Sequence, residues 1–237
     1  MKNTLRFTLA TLLVAISASA FAATTPVVPR PVVIELFTSQ ACSDCPPAEA
    51  LLRQLQATHP GVLTLAMHVS YFNGPAWHDP FSSQTTTQRQ RWYASLSHSN
   101  SVFTPQAVID GHVSAVGSDR SAILQAIDTA RPADASPPLA VTITKAGAGW
   151  HVSVNGPASI HPATIELIRY DTIDHTAVSG GENGGRQLTE IHVVRAITPL
   201  EPWTGTAFDR TIAAGAGQHI AVLAQQNDGT ILGAAAS

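Results

Sequence analysis

The stretch Val32–Leu52, VVIELFTSQACSDCPPAEALL, constrains the fold more than any other part of the chain. Val32 to Phe37 is a β-branched and apolar run suited to a buried strand. A short polar turn follows, and then Leu51, Leu52 and Leu55 recur at helical spacing until His59-Pro60-Gly61 stops them. The turn between strand and helix carries Cys42 and Cys45, the chain's only 2 cysteines. Pro46 and Pro47 stand directly behind them. A helix leaves its first N–H groups unpaired, so proline is harmless only in the first turn. Both prolines fit there only if the helix starts near Asp44; the sequence predicts a late or distorted helix start.

Further on, Val62–Val69 reads as a second strand and residues 71–81 as a loop rich in breakers. Gln84–Ser97 reads as a helix, and Gln106–Ile109 with Val113–Val116 as a hairpin across Asp110-Gly111. A last helix, capped by Ser118 or Asp119, places Ile123, Leu124 and Ile127 on one face. The order β-α-β-α-β-β-α, with a cysteine pair at the first strand-to-helix turn, is similar to that of thioredoxin-like folds. The character changes at RPADASPPLA. Beyond it come six short strand-like runs, at 140–144, 150–154, 164–170, 192–197, 207–212 and 220–226, with no helical stretch. The expected fold is therefore an α/β thioredoxin-like domain at 32–131, a linker at 132–138, and a small mostly-β domain (antiparallel sandwich or sheet) at 139–235.

The first residues carry Lys2 and Arg6, then a short apolar run, then Ala20-Phe21-Ala22. That pattern is a secretory signal peptide over residues 1–22, with no membrane span left after cleavage. A periplasmic or secreted location follows, where a disulfide can persist. The net charge of −3, without a basic run, argues against nucleic acid as a partner.

Cys-x-x-Cys at a helix start favours thiol–disulfide exchange, because free backbone N–H groups there stabilise a thiolate. Cys42 would attack and Cys45 would resolve, so a redox-active disulfide would serve in place of a cofactor. The displaced helix start and the charge of Asp44 both predict a less acidic Cys42 and a less oxidising couple. Thr104-Pro105 stands at the entrance of the third strand, where a thioredoxin-like order implies a cis proline facing the cysteines and a Thr104 backbone that holds the partner. Glu35, seven positions before Cys42, is a candidate proton shuttle; the plainer role, a carboxylate paired with Arg or Lys, is preferred.

Two alternatives stand beside exchange chemistry. One is copper(I) handling by the thiolates of Cys42 and Cys45 with His68 as a further ligand, His78 and His112 being others in reach. The other is a non-catalytic interaction module with a structural disulfide. Whether the chain is an enzyme stays open, and no G-x-S-x-G or H-E-x-x-H motif points to a hydrolase.

Five blocks, VVIELFTSQACSDCPPAEALL, DPF…TQRQRWYA, FTPQAVIDG, AVGSDRSAI and GGENGGRQLTEIHVVR, together resemble the exported thioredoxin-like family known as domain of unknown function 1223. The resemblance implies a thioredoxin-like fold with a C-terminal β extension. It matches Cys42 and Cys45 to the family's cysteine pair and Thr104-Pro105 to its Thr-Pro. Ala41 stands where glycine is usual, and Ser70 and Asn73 replace carboxylates common in the family. Ile191-His192 stands where His-Asn-like pairs are common. The loop GGENGGR lacks the Lys and Ser/Thr of a phosphate cradle. It reads as a hairpin turn, and Arg186, Glu190, His192 and Arg195 as either a polar patch facing the cysteines or ordinary surface charges. The leading expectation is a thiol–disulfide oxidoreductase acting on a thiol-containing protein or a small thiol.

Overall fold

The computed structural model describes residues 30–131, 138–160 and 162–237. The expected signal peptide and most of the expected linker lie outside these residues. The first half contains β1 (Val32–Thr38), α1 (Cys45–Thr58), β2 (Val62–His68), α2 (Gln84–Leu96), β3 (Gln106–Ile109), β4 (Val113–Val116) and α3 (Arg120–Ala130). The second half contains only strands: β5 (Ala140–Ala146), β6 (Gly149–Asn155), β7 (Ala163–Ala177), β8 (Gln187–Trp203), β9 (Phe208–Ile212), β10 (His219–Gln225) and β11 (Ile231–Ala236).

The helix ends follow from local chemistry. Helix α1 begins at Cys45 after Asp44, so Pro46 and Pro47 both fall in the first turn, where no N–H is needed. Helix α2 is capped by Ser83, whose hydroxyl accepts the Thr86 N–H, and α3 by Asp119, which accepts that of Ala122.

The expectation of an α/β thioredoxin-like domain followed by a separate small β domain is overturned. The protein is mostly β. Eight strands from both halves form one mixed sheet in the order β11-β10-β7-β8-β2-β1-β3-β4, and a second sheet, β5-β6-β9, packs beside it. Strands β1 and β2 run parallel, and β2 meets β8 in parallel through Ala66 and Val193. One core spans that join: Val33, Phe37 and Leu65 from the first half pack with Ile168, Val194 and Leu223 from the second.

Two physical causes hid this arrangement in the sequence. Strand β8 runs straight through Pro199, a residue that ordinarily ends a strand. It does so because a bulge opposite Ile165/Glu166 absorbs the break: Glu166 pairs with Pro199 and Ile165 with Glu201. Strand β11 is ILGAAA, and alanine and glycine carry little strand propensity.

The alternation of β1 sorts its side chains to two faces. Ile34 and Leu36 pack against Ala48, Leu51 and Leu52 of α1, whereas Val33 and Phe37 pack with Tyr93 of α2. Glu35 shares the α2 face.

Candidate functional site

The cysteine turn lies between the end of β1 and the start of α1. The Cys42 N–H donates to Ser39 O at 3.2 Å, and the Cys45 N–H donates to Cys42 O at 3.2 Å. Both residues are buried, Cys42 at 4 % exposure and Cys45 at 1 %, and both are free thiols. The Cys42 Sγ lies 3.9 Å from the Thr104 carbonyl oxygen, and the Thr104–Pro105 peptide is cis. The expected pair and the expected Thr-Pro thus meet.

The two thiols differ sharply in acidity. The Cys45 S–H donates to Cys42 and is the main cause that lowers Cys42 to about 6, against the opposing effect of burial. Thr104 and the backbone N–H groups of Asp44 and Cys45 add to the lowering. Those N–H donors precede the prolines, so Pro46 and Pro47 remove none of them. Cys42 is thus more acidic than a free thiol yet stays above about 5, within what the displaced helix start and Asp44 lead one to expect. Cys45 moves the other way, because its proton is held by Cys42, burial disfavours its anion and a second charge would sit beside the first.

The glycine-rich loop at 180–186 lies against this turn. The fully buried Asn183 donates through Nδ2 to Gln40 O at 2.9 Å and to Cys42 O at 2.8 Å. The Ser43 N–H donates to Glu182 Oε2 at 2.9 Å. Gly180 permits this approach, since a Cβ there would collide with the Ala76 carbonyl oxygen. Arg186 donates to Asn183 Oδ1 at 2.7 Å and so steadies the clamp. Asn183 was not singled out from the sequence, and its glycine-flanked position offered the only signal.

Behind Cys45 lies a buried polar cluster on the α1 face of the sheet. His68 shares a hydrogen bond of 2.8 Å between Nδ1 and Asp79 Oδ2, while its Nε2 stands 3.7 Å from Glu190 Oε1 and has no hydrogen-bond partner. Gln40 donates to Glu190 at 3.0 Å and to Thr176 Oγ1 at 2.9 Å, and its backbone N–H donates to Asp79 Oδ2. Burial would lower His68, yet Asp79, Glu190 and Glu49 outweigh it and push it up to about 9. Burial is the main cause that raises Glu49 to about 7, and it raises Glu190 as well. A cavity of about 200 Å³ opens here, lined by Thr38, Cys45, Glu49, Arg53 and Glu190 among others.

The remaining sequence candidates lie elsewhere. Glu35 faces α2, where Arg89 grips it: Nε donates to its two oxygens at 2.9 and 3.0 Å and Nη2 donates at 2.6 Å. It is a paired carboxylate, the plainer of the two expected roles. Of the suggested polar patch, Glu190 reaches the cysteine side directly and Arg186 does so through Asn183, whereas the other two do not. His192 Nδ1 donates to Thr64 O at 2.9 Å, and Arg195 pairs with Asp171 and Asp174. Among the described residues no three His, Cys, Asp or Glu side chains converge on a point that would hold a metal ion, so Cys42, Cys45 and His68 do not form a ligand set. Among the same residues no helix is long and apolar enough to cross a membrane.

Comparison with solved structures finds two similar chains. The crystal structure of a structural-genomics target protein from Agrobacterium tumefaciens is 26% identical, with a TM-score of 0.76 over 90% of this chain and 95% of that one. HBP35 of Porphyromonas gingivalis shares the fold alone, at 14% identity and a TM-score of 0.56, over 90% of this chain and 76% of the other. No curated protein matches the chain. The family model described as "Protein of unknown function (DUF1223)" matches residues 33–227, and with both cysteines, Thr104-Pro105 and the clamping loop inside that span, the chain belongs to this family.

Proposed function

We propose that the chain performs thiol–disulfide exchange with a thiol-containing protein or a small thiol, in a periplasmic or extracellular compartment. The observation that carries this reading is the meeting of two free thiols, Cys42 and Cys45, at one turn with the Thr104 carbonyl oxygen 3.9 Å from Cys42 Sγ; the pair divides its acidity, Cys42 being lowered and Cys45 raised. A permanent structural bridge needs no such division of labour. Cys42 attacks one sulfur of a partner disulfide, the other partner sulfur leaves as a thiolate, and a mixed disulfide forms. Cys45 then attacks the Cys42 Sγ, the bond to the partner breaks, and the partner leaves as its second thiolate. The partner is reduced and Cys42–Cys45 is oxidised; the reverse sequence oxidises a partner dithiol. The Thr104 carbonyl beside Cys42, next to the exposed Phe103, supplies a seat for the partner backbone. The N-terminal segment of the sequence supports export.

Equilibration with glutathione buffers tests the reading. We expect a potential between about −120 and −270 mV, and loss of exchange with a model peptide disulfide in Cys42→Ser. A potential below about −300 mV, with no turnover of that peptide, marks a structural bridge and overturns the proposal.

A further inference from the structure

Exchange through Cys42 and Cys45 leaves one requirement unmet. Cys45 is the more deeply buried thiol, and it must lose its proton before it can close on Cys42. Nothing in the Cys42 turn takes that proton. The groups facing Cys45 from the other side are Thr38 at the end of β1, Glu49 and Arg53 on α1, and Glu190 on β8, all lining the cavity of about 200 Å³.

Among these, Glu49 stands out. It follows Cys45 by four residues, so the two project from one face of α1. It is 7 % exposed, and neither of its carboxylate oxygens has a hydrogen-bond partner. A buried carboxylate left unpaired is costly, and it persists where a function needs it. Arg53, the cation one turn further along, donates instead to the Thr189 carbonyl oxygen at 2.8 Å. Glu190 is occupied by Gln40 and Thr176. Thr38 lines the same cavity as Cys45 and Glu49.

We propose that Glu49 accepts the proton of Cys45 during resolution, with the Thr38 hydroxyl carrying it between them. This inference rests on the exchange reading above and names the group that completes it. While Cys42 is a thiolate, its charge and its hydrogen bond hold the proton on Cys45. Formation of the mixed disulfide removes that charge. The Cys45 S–H bond then breaks, its proton passes to the Glu49 carboxylate, and the Cys45 thiolate attacks the Cys42 Sγ. A Cys45–Cys42 bond forms as the Cys42–partner bond breaks, and the partner sulfur leaves with the electron pair. In the reverse direction the protonated Glu49 returns its proton to Cys45 as the ring opens.

The surroundings set Glu49 for this use. His68 on β2 favours its ionised form, whereas Glu190 on β8 and Asp79 in the loop after β2 disfavour it. Burial dominates, and the carboxyl titrates at about 7, so both of its forms are populated near neutral pH.

The test separates the two steps in the full-length chain. An aromatic disulfide with a coloured thiolate reports attack by Cys42 as a first release and ring closure by Cys45 as a second. In the wild type we expect the second release to rise with pH and level off above about 7. In Glu49→Gln it falls about 100-fold at pH 7 and climbs tenfold per pH unit without levelling. Thr38→Val slows it about tenfold and keeps the inflection. A second release in the wild type that never levels, or an unchanged rate and inflection in Glu49→Gln with a normal first release, overturns the role of Glu49 alone. Absence of any first release overturns exchange chemistry, and the proton transfer with it.

Discussion

Glu35 and Glu49 are two buried carboxylates on opposite faces of one β-α unit, and the protein treats them in opposite ways. Glu35 receives three donations from Arg89, which also binds Glu166 at 2.8 Å and Gln225 at 2.8 Å and lies 3.2 Å from the Tyr93 hydroxyl. Glu49 receives no hydrogen bond at all. Burial without a partner shifts a carboxyl toward its neutral form, while burial with a guanidinium keeps it charged. A fully paired carboxylate has little reason to move a proton, because taking one up breaks the pairing. An unpaired one beside a cavity is free to do so. On the proposed reading, the α2 face serves structure and the α1 face serves chemistry.

The largest effect that probes this contrast is expected from Arg89→Met. It strands Glu35 as a buried unpaired charge and also releases Glu166. Breaking a buried pair from one side costs about 4 kcal/mol, and denaturant titration at pH 7 reads the loss directly. A loss under about 1 kcal/mol would mean that Glu35 is not held as a charge by this contact, and the two carboxylates would then be alike.

Much of the site was legible because local chemistry fixes it. The strand Val32–Phe37, the cysteine turn and the start of α1 near Asp44 follow from short-range sequence signals, while the approach of Thr104 to Cys42, 62 residues apart, was expected from the order of the elements. The i, i+4 spacing of Cys45 and Glu49 was equally local, yet Glu35 drew attention first because it sits in the strand leading to the cysteines. Only the alternation of β1, which turns Glu35 toward α2, tells the two apart. The long-range features were not legible. Pairing of β2 with β8 depends on a parallel contact between residues 127 positions apart in sequence, Ala66 and Val193. Passage of β8 through Pro199 depends on a bulge that only the partner strand reveals. Asn183 reaches the cysteine turn only once that pairing is made.

A second probe acts on Glu49 itself through pH. Its folded pKa of about 7 lies above the ordinary carboxyl value of 4.5, so the native state holds its proton more tightly than the unfolded chain does. The stabilising contribution is then fully present below about pH 4 and is lost as pH rises through 7. A shift of that size corresponds to about 3 kcal/mol, and it should vanish in Glu49→Gln. The difference in unfolding free energy between the two proteins, measured from pH 4 to 8, isolates it from other titrations. His68, raised to about 9, stays charged across this window. An equal pH dependence in both proteins would show that Glu49 is not held near neutrality.

The smallest effect tests whether the two faces are separate. Asn183→Ala removes both donations from the clamping loop, leaving the Gln40 carbonyl oxygen without its side-chain partner and that of Cys42 with the Cys45 N–H alone. Loss of a buried side-chain donor that serves two backbone acceptors costs about 2 kcal/mol. The cost should fall locally. The backbone amides of the cysteine turn, residues 40–45, should exchange with deuterium faster, and Cys42 should alkylate faster at pH 7. Slow exchange should persist at Val33, Glu35 and Phe37, because Arg89, Tyr93 and Gln225 hold that side without help from the loop. If protection on both faces falls together, the paired and unpaired carboxylates belong to one cooperative unit. The clamp would then hold the sheet as a whole, and accelerated alkylation of Cys42 would report global opening rather than release of the site.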